Sequence, residues 1–115
     1  MTPQRELLFE NDLGKTYQDN LARCIWLQTD HRQIPLDASS FLILRRKFQQ
    51  IDVEAMLNPV HSGDELEIVH LSTWDFCLVL NVRDLLAYRA LFDGTMSMLE
   101  LKSITHRFLP QPSLV

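Results

Sequence analysis

The chain has 115 residues, 46% hydrophobic and 23% charged, with a formal net charge of -4, a size and balance that fit one soluble globular domain around a single core, spanning 1–115, rather than two. Its basic residues are scattered, with Arg45-Arg46-Lys47 the main run, so composition gives no footprint for nucleic acid or an anionic membrane surface. No apolar run approaches the roughly 20 residues that span a bilayer, and charged residues interrupt Met1 to Leu13, so neither a membrane span nor a secretory leader is expected and a cytoplasmic location follows by default.

The first element is a short hairpin from about Glu6 to Gln18. Leu7-Leu8-Phe9 alternates weakly, and Asn11-Asp12-Leu13-Gly14 has turn chemistry, since Asn, Asp and Gly tolerate positive φ or bond their own backbone. From Ala22 the strand signal strengthens. Arg23-Cys24-Ile25-Trp26-Leu27 is rich in strand formers, Thr29-Asp30-His31 is polar, and Gln33 to Leu36 resumes the alternation. With Asp30 and His31 in the loop, Leu27 opposes Ile34 and Ile25 opposes Leu36, which puts four aliphatic residues on one face.

The same pattern recurs 44 positions on, residues 22–52 matching residues 66–96 without a gap: Ile34-Pro35-Leu36-Asp37 aligns with Leu78-Val79-Leu80-Asn81, and Phe41, Leu44 and Phe48 fall on Leu85, Tyr88 and Phe92. An internal ββα duplication is one explanation and convergent patterning the other. If Trp74 and Asp75 form the second loop, Leu71 opposes Leu78 and Val69 opposes Leu80, again an all-aliphatic set. Neither loop carries the Asn-Gly or Asp-Gly signature of a tight turn.

Each hairpin feeds a helix capped by Asp37 or Asn81. Phe41, Leu44, Phe48, Ile51 and Ala55 form one apolar stripe, ending at Asn58-Pro59; Leu85, Tyr88, Leu91 and Phe92 form the other, ending near Asp93-Gly94, where glycine suits a left-handed stop. Ser97 to Glu100 has capping-box spacing, so a separate final helix to about Arg107 is expected, although Met96 and Met98 alternating with Glu100 and Lys102 also suit a strand. Pro110 and Pro112 mark residues 109–115 as a loose tail.

Chemical signatures are sparse. The chain has three glycines, which disfavours a phosphate cradle, and it lacks Cys-x-x-Cys, His-Glu-x-x-His and Gly-x-Ser-x-Gly spacings. No cofactor is implied. Cys24 and Cys77 read as reduced, packed thiols rather than a disulfide. The hairpin registers place Cys24, Trp26, His70 and Cys77 opposite the aliphatic set, so Cys24, His70 and Cys77 would converge if the two hairpins joined edge to edge, and thiolates with an imidazole suit zinc or thiol chemistry. Three ligands need a fourth, however, and partly packed side chains are the simpler reading. His31, His61 and His106 read as surface residues, and Asp64, Glu65 and Glu67 as a solvated acidic face. Trp74, at a hairpin tip, would expose its indole unless another segment or a partner covers it.

These observations predict an α+β fold of two tandem ββα units, whose four strands form an antiparallel sheet with both helices packed on one face, and with the N-terminal segment as an added edge. The apolar outer face of the second hairpin suggests a homodimer. The favoured function is a small, non-catalytic, self-associating interaction protein, binding through Trp26, His70, Cys77 and Trp74. The alternatives are a small-ligand-binding regulatory domain with a pocket between the two halves and, less favoured, a thiol- or metal-dependent enzyme.

Overall fold

The hairpin at the start of the chain, expected only as an edge, is half of the main sheet. In the computed structural model, which describes residues 5–30, 32–56, 67–71 and 76–108, β1 (Arg5–Glu10), β2 (Gly14–Asp19), β3 (Cys24–Thr29) and β4 (Gln33–Leu36) form a four-stranded antiparallel sheet in that order. A second sheet has two strands, β5 (Glu67–Leu71) and β6 (Phe76–Leu80). The helices are α1 (Ala38–Gln50), the single turn α2 (Val53–Met56) and α3 (Val82–Phe108). The α+β class and the four-stranded antiparallel sheet are therefore present, but the sheet's membership differs from the expected one. Chain connectivity explains the difference, because neighbours in sequence tend to be neighbours in a sheet. The turn between β2 and β3 is short and is closed by the Ala22 amide donating to Asp19 Oδ1 at 2.9 Å.

The first hairpin register is the expected one, with Ile25 opposite Leu36 and Leu27 opposite Ile34. The second is displaced: Val69 pairs with Leu78, not Leu80, and Leu71 pairs with Phe76, not Leu78. The turn is thus centred one residue earlier than the 44-position match requires. A two-residue change of register keeps every side chain on its own face, so hydrophobic patterning cannot detect it. Val69, Leu78 and Leu80 remain buried. Trp74 and Asp75 lie outside the described residues.

A bulge in β1 explains the weak alternation of Leu7-Leu8-Phe9. Leu7 pairs with Tyr17 and Phe9 with Thr16, leaving Leu8 as the extra residue. Leu8 joins the core and Phe9 packs against it, while Leu7 stays 47% exposed.

Both helices start on the predicted caps. Asp37 Oδ1 accepts from the Ser40 amide at 2.7 Å and Asn81 Oδ1 from the Asp84 amide at 2.8 Å, each satisfying an otherwise orphan N–H. Their ends differ from expectation. The first helical region is interrupted, because Ile51 turns to extended backbone with ψ of 130° before α2 begins at Val53; its expected end at Asn58-Pro59 lies outside the described residues. Gly94 does not stop a helix either. It lies inside α3, because the Phe9 ring occupies the space beside it: a Cβ at Gly94 would stand 2.5 Å from three ring carbons. Ser97 is accordingly mid-helix, and the stretch from Met96 to Lys102 is helical, not strand.

The core joins the two helices through aromatic contacts. Phe41 stacks on Phe92 with centroids 4.9 Å apart, and Phe48 stacks on Tyr88 and meets Phe92 edge-on, both at 5.1 Å. Beside this cluster, the buried hydroxyls of Thr16 and Thr95 are 2.6 Å apart. Thr95 donates to the Leu91 carbonyl, so Thr16 is the donor between the two threonines. That bond ties β2 to the middle of α3.

Candidate functional site

The pairing of β1 to β4 sorts the side chains opposite the core into three rows. Leu7, Tyr17, Trp26 and Pro35 are successive partners across all four strands and make an apolar stripe. To one side stand Arg5, Asp19 and Cys24, and to the other Glu10, Lys15, Gln28 and Gln33. Tyr17, Trp26 and Pro35 are half-buried, so the stripe presents apolar area to solvent. An apolar centre between polar flanks is the usual layout of a protein interface.

Trp26 is held rigidly. Its Nε1 donates to Asp19 Oδ2 at 2.9 Å, and the Arg5 guanidinium lies 4.0 Å from its ring centroid, a cation–π contact over one face of the indole. Arg5 Nε stands 3.9 Å from the same Asp19 oxygen. Hydrogen bonds from the Ala22 amide and the Trp26 indole hold the Asp19 carboxyl below its ordinary pKa, with Arg5 adding to them. The flanking rows balance their own charges: Arg5 offsets Asp19, and Lys15 lies 3.6 Å from Glu10. The face is neutral although the chain carries -4.

Of the residues singled out from sequence, Trp26 and Cys24 are on this face. His70 and Cys77 are direct partners in the β5–β6 ladder, in a sheet that does not pair with β3. The edge-to-edge joining that would have brought Cys24, His70 and Cys77 together is therefore not the arrangement found. Among the described residues no three His, Cys, Asp or Glu side chains are grouped to hold a metal ion. Burial, reinforced by Asp19, pushes the Cys24 thiol pKa up, the reverse of what an activated thiolate nucleophile needs. Trp74, His31, His61, Asp64 and Glu65 lie outside the described residues, as does the tail 109–115. No helix among the described residues is long and apolar enough to cross a membrane.

A second feature was not anticipated residue by residue. A cleft of about 400 Å³ lies between the end of the first sheet and the second, with Leu13, Leu78 and Leu80 as apolar lining and Asp30, Arg32, Asp84 and Tyr88 as polar lining. Its walls come from the β1–β2 turn, the β3–β4 turn, β6 and the first turns of α3, segments no local sequence pattern connects. Burial raises the Tyr88 pKa, partly opposed by the Arg32 charge. Comparison with family models, with curated protein sequences and with solved structures finds no match.

Proposed function

We propose that this protein is a small, non-catalytic cytosolic interaction module that self-associates through the outer face of its four-stranded sheet. The observation that carries the reading is the stripe Leu7–Tyr17–Trp26–Pro35, continuous across four strands and flanked by polar rows. The reading takes both helices to lie on the aliphatic side of the sheet, leaving this side open. It does not require the tandem ββα duplication; the matching caps at Asp37 and Asn81 favour a duplication, and the displaced second register weighs against it. A neutral face on a chain of charge -4 lets two copies meet without like-charge repulsion at the contact. Trp26, already fixed by Asp19 and Arg5, loses little side-chain freedom on docking.

Sedimentation velocity across a concentration series tests the proposal. The expected result is a dimer whose dissociation constant rises by about tenfold or more in Leu7→Asp, a change on the order of 1.4 kcal/mol or greater. Leu7 is 47% exposed on an edge strand, so the substitution leaves the fold in place. A monomer at every concentration, or a dimer indifferent to Leu7→Asp, overturns it.

A further inference from the structure

The outer face of the four-stranded sheet has a symmetry of its own. On β2 the stripe residue Tyr17 stands two positions from Lys15 and two from Asp19, and on β3 Trp26 stands two from Cys24 and two from Gln28. Each step along an extended strand is about 3.4 Å, so the two flanking rows run beside the stripe at about 7 Å on either side. Taken in the order β1 then β2, one row carries Arg5 then Asp19 and the other Glu10 then Lys15. The rows hold the same two charges in opposite order.

Two copies packed face to face about a two-fold axis, with their strands aligned, have two ways to meet. With the axis along the strands, the strand order reverses and β1 and β2 lie over β4 and β3 of the second copy. Glu10, Lys15 and Asp19 then face Gln33, Gln28 and Cys24, so these three charges meet none of opposite sign. With the axis along the stripe, each strand lies over its own counterpart and the flanking rows exchange. Arg5 then faces Glu10 of the second copy, Lys15 faces Asp19, and Leu7, Tyr17 and Trp26 each face themselves.

The second arrangement brings no ion into the contact alone. Arg5 keeps Asp19 at 3.9 Å and its place over Trp26, and Lys15 keeps Glu10 at 3.6 Å. Docking sets each pair against a pair of reversed order and closes a ring of alternating sign, which adds attraction without stripping any charge of its present partner, the step that makes a lone buried ion costly. Asp19 is the most covered of the four, its side chain 12% exposed, so the Arg5–Glu10 contact carries most of the preference. Resting on the self-association read from this face, we infer that the partner is a second copy turned about the stripe itself, Leu7 against Leu7 and the Arg5–Asp19 row against the Glu10–Lys15 row.

Sedimentation velocity on two sets of variants of the full chain tests the orientation, with circular dichroism to show each variant folded. Glu10→Lys/Lys15→Glu exchanges the pair within one chain, which preserves an internal ion pair and the net charge of -4, but it sets like charges opposite each other in the inferred dimer. Its dissociation constant should rise by about tenfold or more over the parent's, and added salt should narrow the gap. Leu7→Asp and Leu7→Lys should each dissociate the dimer alone, yet their equimolar mixture should sediment as a dimer, because Leu7 faces Leu7 across this axis. An exchanged protein that dimerises as the parent does, or a mixture no more associated than either variant alone, overturns the orientation; a parent dimer that Leu7→Asp still dissociates would then leave self-association standing. A parent that stays monomeric at every concentration overturns both.

Discussion

The two oxygens of Asp19 do different jobs: Oδ1 accepts the Ala22 amide that closes the β2–β3 turn, and Oδ2 accepts the indole of Trp26. Because both bonds favour the charged form, the folded-state pKa lies below the unfolded reference of 3.8. The unfolded chain therefore binds more protons through this interval, and the stability Asp19 contributes is complete above the reference value and lost as pH falls through the lowered one. Asp37 at its helix cap acts in the same direction. Asp19→Asn keeps one acceptor oxygen and so cannot serve both donors. Urea unfolding of both proteins should show a lower midpoint for the variant near neutral pH and a gap that narrows below pH 3.8; a gap independent of pH would separate Asp19's role from its charge. The sequence shows Trp26 as a strand residue opposite the aliphatic set. It does not show Asp19 as its partner, because that contact depends on which strand lies beside β3. Arg32, Asp84 and Tyr88 were missed for the same reason: each belongs to a different local pattern, and only the tertiary fold places them around one cleft.

At the scale of elements, local rules were legible wherever local physics decides. The caps at Asp37 and Asn81, the first hairpin register and the apolar stripes of the helices all follow from side-chain chemistry or period. Tertiary packing decides the rest. Gly94 reads as a helix stop, yet α3 passes through it because Phe9, delivered inward by the bulge in β1, needs the missing Cβ. Two effects of Gly94→Ala therefore oppose each other. Alanine favours a helix interior by about 1 kcal/mol, but forcing a methyl group against an aromatic ring costs about 1–3 kcal/mol. The ring contact at 2.5 Å is close enough for overpacking to win. The expected outcome is a net loss of about 1 kcal/mol in chemical denaturation, with Phe9→Leu/Gly94→Ala less destabilised than the sum of the two single changes. A stabilised Gly94→Ala protein would show that the Phe9 ring moves aside freely.

Over the whole molecule, the question is whether the four-stranded sheet with α1 and the two-stranded sheet with α3 unfold as one. Contacts of several kinds cross between them. The Phe41, Phe48, Tyr88 and Phe92 rings interleave, Thr16 bonds to Thr95, and Arg89 closes the end of α1. Arg89 Nε donates to the Phe48 carbonyl at 2.7 Å, and its Nη2 donates to the Gln49 carbonyl at 3.3 Å and to the Ile51 carbonyl. These carbonyls are among the ones a helix end leaves without an internal partner, and the charge also complements the negative end of the helix dipole. A guanidinium reaches all three because its donors are spread over a planar fork, which an ammonium lacks. Charge-assisted hydrogen bonds of this kind contribute about 1.5–3 kcal/mol, so Arg89→Ala should lose about 2 kcal/mol and Arg89→Lys should recover less than half of it. The decisive measurement follows two probes of unfolding in a Trp74→Phe background: fluorescence of Trp26 reports the main sheet, and far-UV circular dichroism is dominated by the helices, α3 above all. Coincident curves in the parent and in Arg89→Ala, shifted together to lower denaturant, are expected of one cooperative unit. Curves that separate on loss of Arg89 would mean that this side chain holds together two halves able to unfold apart.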